Sequence, residues 1–80
     1  MPDRTKGSRL LERWLEKTGT SQTDLARRLG IEPSNVSFWV GGRSRPGAHH
    51  RLAVEMITGI AAPEWLTRSE RAKLERVAAA

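Results

Sequence analysis

The chain has 80 residues, 38% hydrophobic and 29% charged, a composition typical of one small folded domain. It contains no cysteine, which excludes disulfide bridges and thiol-based zinc sites, and no stretch approaches the roughly 18 apolar residues of a membrane-spanning helix. Fourteen Lys and Arg residues against nine Asp and Glu residues give a formal charge of +5, which favours a polyanionic partner.

The first predicted elements are an N-terminal arm and a helix. Residues 1–7 lack apolar periodicity and contain Pro and Gly, so we expect a flexible arm. They also lack the apolar run of a signal peptide, and we expect a cytoplasmic protein. A helix is predicted over residues 8–18, with Ser8 as its N-cap and Gly19 as its end. Its inner face would carry Leu10, Leu11, Trp14 and Leu15.

Two short helices joined by a tight turn are predicted next. The second helix begins at a capping box formed by Ser21 and Asp24, and it ends at Gly30. The third begins at Pro33, which needs no amide donor at a first helical position, and ends at the glycines at 41 and 42. The expected buried side chains are Leu25, Ala26 and Leu29 on the second helix and Val36, Trp39 and Val40 on the third.

The remaining sequence predicts two further helices and a helical turn. The fourth helix, over about residues 47–58, should direct Leu52, Ala53, Met56 and Ile57 inward. Residues 63–66 predict one helical turn that places Trp65 and Leu66 at the bottom of the core. Thr67 and Glu70 form a second capping box, so a last helix should run from about residue 68 to residue 79. Its thin apolar edge suits docking on the domain's own surface or on a partner.

These elements predict an all-α fold, a compact domain of five to six helices. The second and third helices, with a glycine in the turn between them, form the pattern of a helix-turn-helix. We divide the chain into an arm (residues 1–7), a helix-turn-helix domain (8–66) and a C-terminal helix (67–80) that would serve dimerisation or docking.

The outward face of the third helix carries four uncharged side chains where a purely structural helix would carry Lys and Glu. They are Ser34, Asn35, Ser37 and Phe38. Asn can pair with adenine, Ser can bond to most base edges, and Phe can contact a thymine methyl, so this face is predicted to read DNA bases. The alternative is that Phe38 packs on a neighbouring segment or on a dimer mate.

Side chains suited to phosphate flank this face. Gln22 lies in the first turn of the second helix, where free amides and the helix dipole favour an anion. Arg43 and Arg45 follow the third helix on a loop that begins with glycine and can approach a nucleic-acid backbone. We predict that these three side chains set affinity and register, while the base-facing residues set specificity.

Residues 19–46, GTSQTDLARRLGIEPSNVSFWVGGRSRP, resemble the Cro/cI-type helix-turn-helix family of phage repressors and xenobiotic-response-element-like regulators. The shared pattern is Gln-x-x-Leu-Ala-x-x-Leu-Gly-Ile/Val, a polar run, then a Trp and a Gly-basic-x-x-Pro loop. Downstream, Thr58-Gly59 followed by Trp65-Leu66 is similar to the family's fourth and fifth helices. The likeness covers roughly residues 8–66.

The resemblance implies a lambda-repressor-like domain that usually binds a double-stranded DNA operator as a homodimer. Residues 33–41 would be the recognition helix, Gln22 the glutamine that clamps a phosphate, and Ser34, Asn35, Ser37 and Phe38 the base-facing positions. The chain departs from the family pattern at Glu32, where a Ser or Thr cap is usual, at Pro33, which replaces a polar base reader, and at Gly41, which replaces an Asn. These departures leave the operator sequence open.

Other chemistry has little support in the sequence. His49 and His50 are adjacent, so on a helix they should diverge by about 100° and not share a metal ion. No Gly-rich phosphate loop, metal-ligand spacing or nucleophile–base arrangement is present, and we expect no enzyme activity, metal or cofactor. The alternative function is an antitoxin-like or adaptor protein that uses this fold to bind a protein partner. RNA binding is disfavoured because the chain lacks multiple aromatic stacking platforms.

Overall fold

A computed structural model describes residues 4–79, which form five α-helices and one 3₁₀ turn without any strand. The elements are α1 (Lys6–Thr18), α2 (Gln22–Leu29), α3 (Pro33–Gly41), α4 (Ala48–Thr58), the 3₁₀ turn (Ala62–Trp65) and α5 (Arg68–Ala79). The predicted all-α fold with a helix-turn-helix is confirmed. In this part of the chain, no helix has the length and apolar character needed to cross a membrane.

Helix α1 begins earlier than the sequence indicated. Its N-cap is Thr5, whose Oγ1 accepts a hydrogen bond from the amide of Ser8 at 3.2 Å. Lys6 and Gly7 therefore belong to the helix, and residues 1–3 of the predicted arm lie outside the described residues. Ser8 is not the cap. It is fully buried, and its Oγ donates to the carbonyl of Trp39 at 2.6 Å, which ties α1 to the last turn of α3.

The core lies between the first four helices and the 3₁₀ turn. Its buried hydrophobic side chains are Leu11, Leu15, Leu25, Ala26, Val36, Trp39, Val54, Ile60 and Trp65. The two buried tryptophans, Trp39 and Trp65, meet edge to face with ring centroids 6.5 Å apart, a favourable aromatic geometry. The buried sides predicted for α1, α2 and α3 are confirmed, with some members only half-buried. Because the inner side of α3 is fixed in this way, its opposite side faces solvent.

The inner face of α4 differs from the prediction. Leu52 and Met56, expected inside, are 64% and 87% exposed, whereas Val54 is fully buried and Ile57 is half-buried. Apolar residues lie on two sides of this helix, with Leu52 and Met56 on one side and Val54 and Ile57 on the other. Both pairs have helical spacing, so the spacing alone did not show which pair is buried. Packing against the rest of the core selects Val54 and Ile57, and nothing within the helix itself distinguishes the two sides.

Helix α5 is attached to the domain mainly by its first turn. The predicted capping box is complete, because Thr67 Oγ1 accepts from the amide of Glu70 at 3.1 Å and Glu70 Oε1 accepts from the amide of Thr67 at 2.9 Å. None of the residues described in α5 is buried, and Leu74 and Val77 are 50% and 70% exposed. The apolar edge of α5 is therefore not docked on the described surface of the domain, and its role in dimerisation or docking stays a prediction.

Candidate nucleic-acid interface

The turn between α2 and α3 sets the angle between the two helices. Gly30 adopts a left-handed conformation with φ of 72°, and its amide donates back to the carbonyls of Ala26 and Arg27. The amide of Ile31 also donates to the carbonyl of Ala26, at 3.0 Å. A residue with a Cβ is disfavoured at this φ, whereas glycine adopts it freely, so the chain reverses within a few residues. Helix α2 then packs chiefly on α3.

The start of α2 presents Gln22 to solvent. Ser21 is the N-cap, and its Oγ accepts a hydrogen bond from the amide of Asp24 at 3.0 Å. The carboxylate of Asp24 lies 3.6 Å from the guanidinium of Arg27 and does not complete the predicted box. Gln22 is the first residue of the helix and is exposed, at the end where the helix dipole favours an anion.

The outer face of α3 is available to a partner. Ser34, Asn35 and Ser37 are exposed, and within residues 4–79 their side chains make no hydrogen bond to the chain. Helix α3 begins after Glu32, which makes no side-chain cap hydrogen bond, with Pro33 at its first position. Phe38 is 38% exposed, so it does not pack into the core of this chain.

Phe38 and Arg43 form one unit at the end of α3. The Cζ atom of Arg43 lies 5.9 Å from the centroid of the Phe38 ring, within the range of a cation–π interaction. The amide of Arg43 also donates to the carbonyl of Phe38 at 2.9 Å. At an exposed site such a pair contributes about 0.5–1 kcal/mol, enough to favour one position of the guanidinium. Phe38, which is predicted to read bases, therefore positions Arg43, which is predicted to bind phosphate.

Arg45 has a different environment. Its Nη1 donates to the backbone carbonyl of Trp65 at 3.2 Å and to Oε1 of Glu70 at 2.5 Å. The side chain therefore links the loop after α3 to the 3₁₀ turn and to the first turn of α5. Arg45 was predicted to bind phosphate, and that role stays a prediction, but its guanidinium is already engaged inside the domain.

The ion pair between Arg45 and Glu70 predicts a pH dependence of stability. The hydrogen bond from Arg45, followed by those from Thr67, lowers the pKa of Glu70 from 4.5 to about 2. A carboxylate whose pKa is depressed by folding stabilises the fold above its unfolded pKa, and this contribution is lost as the pH falls through the folded value. We expect the Glu70→Gln variant to be less stable than the natural chain at pH 7. The difference should shrink between pH 4.5 and pH 2, measured as the free energy of unfolding in urea.

Glu75→Gln is the matched control for that experiment. Glu75 lies on the same helix, is exposed, and within the described residues makes no ion pair. A stability difference for Glu70→Gln that stays constant from pH 7 to pH 2, or one equal to that of Glu75→Gln, would contradict the role given to the Arg45–Glu70 pair.

Two residues contribute to this surface through contacts that were not predicted. Ser8 holds the end of α3 in place, and its spacing from Leu11 and Leu15 matches the buried side of α1, which is the signal that identifies it. Arg4 packs against the loop after α3, where a Cβ on Gly42 would lie 3.0 Å from its Cγ. No local pattern in the sequence indicates that long-range contact.

The residues that the structure describes contain no group of three or more His, Cys, Asp or Glu side chains that could hold a metal ion. The rings of His49 and His50 lie closer together than their predicted divergence suggests, with centroids 4.0 Å apart.

Comparison with known proteins gives a partial match. The chain is 49% identical over 37 residues to an uncharacterized HTH-type transcriptional regulator of Archaeoglobus fulgidus. The matched stretch is 46% of this chain and 16% of that protein, so the chain spans a small part of that relative's length. No family model matches the sequence. No solved structure matches it either.

Proposed function

We propose that the chain is a sequence-specific regulator of transcription that binds double-stranded DNA and acts as a Cro-like repressor. The observation that carries this proposal is the outer face of α3, where three exposed polar side chains have no partner in the described chain and an exposed Phe38 lies beside Arg43. The partial likeness to an HTH-type transcriptional regulator supports the same class. A repressor of this kind acts by occupying its operator and needs no catalytic residues.

We propose that the chain binds DNA as a homodimer, as the resemblance to Cro/cI-type proteins implies. A helix with its side chains is about 10–12 Å in diameter, so α3 can enter a major groove about 12 Å wide. A second copy would place its own α3 about 34–36 Å away, in the next major groove on the same side of the duplex. The exposed apolar edge of α5 is our choice for the dimer surface, ahead of residues 60–66.

Two side chains are the best candidates for contacts with the phosphates of the DNA backbone. Gln22 is exposed at the start of α2, and Arg43 is exposed and held beside α3 by Phe38. Phosphate contacts from these positions would fix the register of α3 in the groove, and Ser34, Asn35, Ser37 and Phe38 would then read the bases. Arg45 is a weaker candidate, because its Nη1 already bonds to Trp65 and Glu70.

Selection of bound sequences from a random duplex library tests the proposal. We expect the natural chain to enrich one motif with two-fold symmetry, and Asn35→Ala to lose discrimination at one base pair, by about 1–3 kcal/mol. Arg43→Ala should weaken binding to all sequences about equally and reduce the slope of log affinity against log salt by about 0.9 per protomer. Phe38→Ala should show both effects, because it also releases Arg43. Anisotropy titrations on the selected duplex measure each change.

A selection that enriches no motif, although the protein binds duplex DNA, would contradict sequence-specific recognition. An Arg43→Ala variant that changes the selected motif and leaves overall affinity unaltered would contradict the separate roles of the two sets of residues.

A second candidate function rests on the apolar side chains that the fold leaves outside. Leu52 and Met56 on α4, with Leu74 and Val77 on α5, are exposed, and an antitoxin-like or adaptor protein would use such a surface for a protein partner. Affinity for any duplex at low salt separates the two functions, because the adaptor does not require it. A chain that binds DNA and a protein partner would satisfy both.

A further inference from the structure

A basic cleft lies outside the face of α3 described above. Its volume is about 890 Å³, and it is formed by the start of α1 and by the segment that leads into α5. Its lining contains five cationic side chains and no acidic one, a strong imbalance for one cleft of a small domain. The cations are Arg4, Lys6, Arg9, Arg68 and Arg71.

Part of this positive charge is not neutralised within the domain. Arg4 pairs with Glu12 at 2.6 Å, while Lys6 and Arg71 share Glu64 at 3.3 and 3.7 Å. Five cations against these two carboxylates leave a net charge of +3. Arg9 and Arg68 are exposed on opposite walls and make no ion pair within residues 4–79.

Arg4 also has an unsatisfied polar atom. Its Nη2 donates to the carbonyl of Ser8 at 3.3 Å and to Glu12, but its Nε is buried and has no hydrogen-bond partner in the described chain. This Nε is shielded from solvent, so Arg4 contributes to the cleft through its charge and not through a free donor.

The cleft is continuous with the loop that follows α3. Arg4 packs on Gly42, whose neighbour Arg43 lies beside Phe38. The same loop continues to Arg45, which bonds to Glu70 in the first turn of α5, on the other side of the cleft. Positive charge therefore extends from the end of α3 into the cleft. Among the residues named here, each carboxylate along this path is paired with a cation.

We propose that this cleft binds the phosphodiester backbone of the DNA that flanks the sequence read by α3. The proposal rests on the proposed function, since it extends the same interface beyond the helix-turn-helix. Arg9 and Arg68 supply the charges that are not already paired within the described residues. The cleft adds affinity that does not depend on the sequence of the flanking base pairs.

The test compares two double variants that remove the same charge from the same two helices. Arg9→Ala with Arg68→Ala removes the unpaired cations of the cleft, and Arg13→Ala with Arg76→Ala removes exposed arginines that do not line it. Anisotropy titrations use two duplexes that carry the selected motif, one ending at the motif and one extended by a few base pairs on each side. Thermal unfolding of both variants verifies that each remains folded, and a Gln version of the cleft variant retains side-chain length.

We expect the natural chain and the Arg13/Arg76 variant to bind the extended duplex more tightly than the short one. The Arg9/Arg68 variant should gain nothing from the extension, and the slope of its log affinity against log salt should fall by about 1.8 per protomer, for two lost phosphate contacts. Equal behaviour of the two variants on both duplexes would overturn the cleft proposal and leave the proposed function intact. Failure of the natural chain to bind any duplex would overturn both.

A last arm distinguishes DNA from a small anion. Inorganic tripolyphosphate is titrated into the natural chain and the cleft variant while backbone amide resonances are recorded. Saturable binding that the cleft variant loses, together with equal DNA affinities of the two double variants, would assign the cleft to a small phosphate ligand and overturn the proposal.

Discussion

Replacing Gly7 with alanine is expected to destabilise the domain by about 1–3 kcal/mol. A Cβ at this position would lie 2.5 Å from Cδ2 and 2.6 Å from Cε3 of Trp65, closer than carbon atoms approach in folded proteins. Helix propensity alone predicts the opposite sign, because alanine is favoured over glycine inside a helix by about 1 kcal/mol. The steric effect should prevail because both residues are buried and protein interiors are close-packed. Urea unfolding followed by circular dichroism measures the difference.

Gly41→Ala is the matched control, since Gly41 is also helical and a Cβ there would meet no atom within 4 Å. This variant should be neutral or more stable by up to about 1 kcal/mol, because only the higher helix propensity of alanine remains. If the two alanine variants had the same stability, the close approach of α1 to Trp65 would not exist in solution.

Trp65→Ala should have a larger effect, about 3–5 kcal/mol. The side chain is fully buried and packs edge to face on Trp39, so truncation removes apolar contacts and opens a cavity. Small domains are stable by roughly 5–15 kcal/mol, with an 80-residue chain near the lower end, so little stability should remain. Circular dichroism and the dispersion of the proton NMR spectrum at 25 °C report the loss.

Trp14→Ala provides the comparison for Trp65→Ala. Trp14 is half-buried at the edge of the core, so removing the same side chain there should cost much less. Equal losses of unfolding free energy for the two variants would mean that Trp65 is not the centre around which α1, α3 and the 3₁₀ turn pack.

The helix-turn-helix could be predicted from the sequence because its signals are local. Ser21 caps α2, Gly30 ends it and Pro33 begins α3, and each acts on residues within one helical turn. The bounds of α3 and α5 were predicted from local signals of the same kind. The exposure of Phe38 was also expected, since the buried side of α3 is defined by Val36 and Trp39.

The features that the sequence could not predict depend on contacts between distant residues. The side of α4 that faces the core is chosen by its neighbours in space, which is why Leu52 and Met56 were assigned to the wrong side. The bond between Arg45 and Glu70 joins residues 25 positions apart, and the approach of Arg4 to Gly42 is equally non-local. A long polar side chain can reach many possible partners, and the tertiary fold determines which of them lies close enough to bond.

The pairing of Phe38 with Arg43 has a consequence for how this protein can diverge. Under the proposed function, a substitution at position 38 would alter base recognition and, at the same time, release the cation beside it, so its effect would depend on the residue at position 43. Ser34, Asn35 and Ser37 have no such partner within the described residues. We therefore expect descendants that acquire new operators to vary first at these three positions, and to change positions 38 and 43 together, as an epistatic pair.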